Sequence, residues 1–203
     1  MVDDLTGFWS AHSSLDDEAF RSLMIEAYPE IVTPHISIAG DVTAGWYEDL
    51  NPSSTYRAAP AALPPVEQLH ASAGWAMSQK ESLPLLAGSA QRMLFGGSRD
   101  TVATNAEREG TRYARHASAN ACKFCQILAT RNDEYLYSSE STAEKSGGKK
   151  YHDHCHCIAV PVRGGSAYKP PDYVEQWSKD YDAAAKAAGT NSDIGAIMRA
   201  YPK

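Results

Sequence analysis

The sequence predicts an α+β chain, mostly helical: N-terminal helices, then a small zinc-stapled mixed domain, then a C-terminal helical tail. Three observations predict it. Apolar residues recur at helical spacing through most of the N-terminal half. Strand-like runs appear only after Cys122. All four cysteines fall in two tight pairs, ACKFC and CHC, on either side of a long polar loop. The organisation expected from these is a helical region over 1–95, a Cys/His metal-clamped α+β domain over 96–170, and a helical tail over 171–203.

Ser14 is placed to cap a helix from Leu15 to about Tyr28, with Asp16, Asp17 and Glu18 in its first turn, where carboxylates suit the helix dipole. Phe20, Leu23, Met24 and Ala27 form its apolar stripe. Pro29 interrupts, because a proline inside a helix removes a donor and clashes with the preceding turn. A second helix runs from Glu30 to Leu50, with Ile31, Pro34, Ile38, Val42, Gly45 and Trp46 on one face. Asn51 to Pro65 holds four prolines and reads as an extended connection. A third helix runs from Val66 to about Leu83, carrying Leu69, Ala73, Ala76 and Met77. Gln91 to Phe95 is a further helical turn.

Gly96-Gly97-Ser98 reads as a break, with Ser98 capping a helix from Arg99 to about Ala117. Val102, Ala106, Tyr113, Ala114 and Ala117 give that helix its apolar side, and Gly110 within it costs about 1 kcal/mol relative to alanine. Glu134 to Tyr137 reads as a short strand, Ser138 to Lys150 as a polar loop, and Cys157 to Val162 as a second strand. Asp172 caps a helix from Tyr173 to Ala188, Gly189 ends it, and Ser192 opens a last helix to Ala200. Trp9, Trp46, Trp75 and Trp177 each lie in or beside a helical stretch and read as core.

Charge and composition exclude several classes. The formal net charge is -6, whereas a general nucleic-acid binder is basic, since neutralising phosphates drives its affinity. The pair Lys149-Lys150 reads as a solvated loop. No run of about eighteen apolar residues offers a membrane span. MVDDLTGFWS has no charged-then-apolar leader, so secretion and an oxidising compartment are not expected. That turns the reading of the cysteines from disulfides toward metal.

Cys122 and Cys125 have the C-x2-C spacing that brings two sulfurs onto one ion at about 2.3 Å. YHDHCHC then offers His152, His154, Cys155, His156 and Cys157. A structural zinc site needs four soft or borderline ligands in a tetrahedron. The first pair gives two. His152-x2-Cys155 gives a second knuckle, or Cys157 replaces one of its members. In an extended segment Cys155 and Cys157 share a face, and His154 and His156 point the other way. The metal set is therefore Cys122, Cys125, His152, Cys155 and Cys157, with the choice between the last two cysteines open. Five candidates for four positions make a closed, structural shell easy to build, whereas a catalytic zinc keeps a position for water. Two disulfides, or unliganded core thiols, are the plainer readings. A redox C-x-x-C would need a βαβ context that is not found.

RDTVATNA, ACKFCQILATR and YHDHCHCIAVPV together resemble the MuF-like minor head proteins of tailed bacteriophages, most strongly from about Gly88 to Val162. The resemblance puts Cys122 and Cys125 on the family's upstream pair, and His152, Cys155 and Cys157 on its H-x-x-C-x-C. It implies a virion component, not an enzyme, at the portal vertex or in the capsid interior, acting in head assembly or genome delivery. The partners implied are the portal protein, the major capsid protein or both, and packaged DNA as a further contact, with no membrane and no small-molecule substrate. The rival is a His-metal finger DNA endonuclease, in which Asp153 and His154 would work at a catalytic ion and Arg163-Gly164 would follow. Such nucleases need a second zinc knuckle, and no cysteine follows Cys157.

Overall fold

A computed structural model describes residues 1–130, 155, 157–163, 169–189 and 193–202. The described elements are α1 (Val2–His12), α2 (Asp17–Asp49), α3 (Val66–Met77), α4 (Ser82–Glu109), β1 (Arg112–His116), α5 (Lys123–Ala129), β2 (Ile158–Val162), α6 (Tyr173–Ala188) and α7 (Ile194–Ala200). The fold is mostly helical α+β, as the periodicity predicts, with one two-stranded sheet among the described residues. The described residues form two compact units that divide after Val102. The strand expected at Glu134–Tyr137 and the loop after it lie outside the described residues.

In the first unit, α2 replaces the two helices expected. Its N-cap is Asp16, not Ser14: the Asp16 carboxylate accepts from the Ala19 backbone N–H at 2.9 Å. The helix then runs through Pro29 and Pro34. Each proline costs about 3 kcal/mol in a helix interior. Against that, Met24, Tyr28, Val32 and Ile36 are at most 2% exposed, and each large apolar side chain so buried contributes roughly 1.5–3 kcal/mol. The stripe spans both prolines, so tertiary burial outweighs local propensity. The same stripe continues through Gly40, Ala44 and Tyr47. The face expected to be buried is the outer one: Ile38 is 60% and Val42 66% exposed, Pro34 and Gly45 are exposed, and Ile31 and Trp46 are half-buried.

Helix α1, which the sequence reading did not include, carries Asp3 and Asp4 in its first turn and buries Leu5. Trp9 packs edge-on against Phe20 at 4.7 Å. Leu69, Ala73 and Ala76 of α3, with Leu86, Ala90 and Met93 of α4, complete the core. Helix α3 stops at Met77, short of Leu83, and exposes Trp75 by 53%, against its expected place in the core. The connection 51–65 is extended, as its prolines require, and is fastened by Ala58 N–H to Glu48 Oε1 (2.8 Å) and Ala61 N–H to Thr101 Oγ1 (3.0 Å).

Gly96-Gly97-Ser98 does not break the chain, since α4 passes straight through it. A Cβ on Gly97 would stand 2.9 Å from Ile36 Cγ2. The glycine lets two helices approach closely and does not end one. The end comes instead at Gly110, whose φ of 69° is left-handed. Its N–H bonds Glu107 O (3.1 Å) and the Thr111 N–H bonds Ala106 O (2.8 Å). This is the Schellman arrangement. The helix expected to reach Ala117 therefore stops at Glu109, and Arg112–His116 is strand β1.

In the second unit β1 and β2 pair antiparallel, with Arg112 opposite Val162 and His116 opposite Ile158. Thr111 Oγ1 donates to Val162 O at 3.0 Å, and Arg163 Nε meets Glu109 Oε2 at 2.8 Å, fixing the sheet's open end. Helices α6 and α7 pack on each other and α6 on α5, around Ile127, Ala184, Ile197 and Tyr201. Trp177 is buried, as expected. The cap of α7 is Asp193, whose carboxylate accepts from Ala196 N–H at 2.7 Å; Ser192 lies outside the described residues. Among the described residues, no helix is long and apolar enough to cross a membrane.

Candidate metal centre

Cys122 and Cys125 sit at the start of α5. Cys122 is the N-cap, with extended backbone (φ -64°, ψ 157°), and Cys125 lies in the first turn. A helix of seven residues is too short to stand alone. It is held by its buried Ile127, Leu128 and Ala129. Lys123 Nζ, donating to Tyr201 O at 2.9 Å, ties its start to the end of the chain's last helix. This seating turns Cys125 inward, where it is 2% exposed, and leaves Cys122 exposed.

Cys155 and Cys157 approach from the other side, just before β2, and each is 2% exposed. The Sγ atoms of Cys125, Cys155 and Cys157 all lie within 4.8 Å of one another, and Cys125 Sγ is 3.4 Å from Cys155 Sγ. A tetrahedral ion with bonds of about 2.3 Å to sulfur sets its ligands about 3.8 Å apart. That spacing is compatible with sulfurs that all lie within 4.8 Å of one another, so these three buried thiols can hold a metal ion. Both cysteines of the CHC pair, between which the sequence left the choice open, lie in the cluster. Cys122 is outside the trio. His152, with Asp153, His154 and His156, lies outside the described residues.

The electrostatics fit a cation. In the Cys157 thiol a hydrogen bond with Cys125 favours ionisation. The bond with Cys155, burial and the charge of Cys155 outweigh it, and although the Arg115 charge pulls the other way the pKa is pushed up to about 12. The Cys125 thiol is pushed up too, first by its bonds to Cys155 and Cys157 and then by burial. Three buried thiols this close resist losing protons unless a positive charge replaces them.

Arg115 is the residue the sequence reading missed here, because it was assigned to a helix. In β1 it stands opposite Ala159. Alternation along a strand puts Cys157, two residues before Ala159, toward the same face. The visible signal is the Gly-Thr pair just before R-Y-A-R-H, a helix-stop residue at the head of that segment. Next to it, His116 has its pKa lowered by burial.

Fold and site define a class: a mostly helical α+β chain whose second unit encloses a buried three-thiol centre. Residues 1–184 match the family model described as VG15 protein, and the chain belongs to that family, a viral family of the phage type. No curated protein and no solved structure matches the chain.

Proposed function

We propose that the chain is a structural component of a phage particle, a minor head protein of the MuF-like kind, and that its thiol centre holds one zinc ion. The observation that carries this reading is the match to a viral family over residues 1–184. The burial of Cys125, Cys155 and Cys157 supports a structural ion over a catalytic one, since a catalytic ion needs a position open to substrate. Sulfur-rich ligation favours zinc among common divalent ions. Cys122 or His152 supplies the fourth ligand. The ion supplies a cross-link between the start of α5 and the entry to β2, two places far apart in sequence. The portal and major capsid proteins are its partners, with packaged DNA as a further contact. Its place is the capsid interior or portal vertex, and the host cytoplasm during assembly.

Quantitative mass spectrometry of purified particles of the parent phage tests this. The chain should be present at a small fraction of the major capsid protein's copy number. Its absence from particles, or cleavage of plasmid DNA by the purified protein with added magnesium, would contradict the reading and favour the nuclease.

A further inference from the structure

Arg115 is a buried cation beside the thiol centre. The residue is 4% exposed, and its Nε and Nη1 are sealed from solvent. Its strand position faces it toward Ala159 and the Cys157 side of β2. Helix α5, which carries Cys125, packs on the same strand. A buried guanidinium is costly unless negative charge lies close by. Three thiolates around a divalent cation would carry at least one net negative charge, held on side chains that are each 2% exposed.

We infer that Arg115 is a positioning residue for the metal centre, offsetting the net negative charge of the ion–thiolate shell and thereby tightening metal binding. This rests on the metal reading above. Arg115, opposite Ala159, lies on the face of the β1–β2 pair toward which Cys157 is set, so Arg115 is the residue to vary. A lysine in its place keeps the charge, while methionine keeps much of the bulk without it.

The test is cobalt(II) titration of the full chain, in competition with a chromophoric chelator, for wild type, Arg115→Lys and Arg115→Met. Circular dichroism confirms that each is folded. Wild type and Arg115→Lys should bind within about threefold of each other, and Arg115→Met about tenfold or more weaker, as expected for loss of an interaction with a charged group. The sulfur-to-cobalt charge-transfer band should also move to longer wavelength in Arg115→Met, because the thiolate electrons are held less tightly. A purely structural role would leave the band in place. Equal affinity and an unmoved band in Arg115→Met would overturn the inference while leaving the metal reading intact. A wild type that takes up no cobalt would overturn both. Should Arg115→Met not fold, Arg115→Gln against Arg115→Lys gives the same decision.

Discussion

At Gly110 the backbone adopts φ 69°, a conformation that costs an L-residue roughly 1–2 kcal/mol. Gly110→Ala is therefore expected to lower the unfolding free energy by about 1 kcal/mol in a urea titration, although the same change inside a helix would stabilise. The thiols make a pH prediction at the same scale. In the folded, metal-free chain the Cys157 thiol is raised from 9.0 to about 12. The unfolded thiol ionises at its ordinary value, so the folded state gains from Cys157 below pH 9.0 and loses that gain as pH rises toward about 12. Urea midpoints of the metal-free protein should fall between pH about 8 and about 11. With metal bound the thiols are already ionised, and the fall should be smaller. The thiols of the site were legible in the sequence, because two tight cysteine pairs beside a run of histidines point to metal. Arg115 was not, because an arginine in a presumed helix carries no signal of a buried partner. Only the left-handed glycine five residues earlier moves it onto a strand.

At the scale of elements, the glycine pair in α4 was misread for a physical reason. Glycine breaks helices where the backbone must turn, but it also sits where helices approach closely, and spacing alone does not separate the two. Gly97 is of the second kind. Gly97→Ala should destabilise, since its Cβ meets the stiff Cγ2 of Ile36 at 2.9 Å, outweighing the about 1 kcal/mol of helix propensity gained. In an Ile36→Ala background the sign should reverse, because the methyl then occupies vacated space. A double-mutant cycle in urea measures this, and additivity would show that the two residues do not meet. Helix α2 teaches the same lesson. Two apolar stripes were available to it, and the one carrying Tyr28 and Tyr47 faces inward while Ile38 and Val42 remain outside. Periodicity established the helix. Which stripe is buried depends on bulk supplied by partners distant in sequence.

At the scale of the molecule, the first unit has a continuous apolar core from Leu5 to Met93, whereas the second relies on a two-stranded sheet, short helices and the thiol centre. An isolated two-stranded sheet is marginal in water. A metal ion held by the trio would join α5 to the entry of β2, the kind of cross-link such a unit needs. Chelation should strip hydrogen-exchange protection from β1, α5 and β2 while α2 and α3 retain theirs. Equal loss in both units, or none, would show that the centre does not stabilise the second unit in particular. The most direct measurement is elemental mass spectrometry of the purified full chain beside Cys125→Ser and Cys157→Ser. About one zinc per wild-type chain, lost in both variants, is the predicted result. A metal-free wild type that still unfolds cooperatively would contradict it, and the three buried thiols would then be core side chains and nothing more.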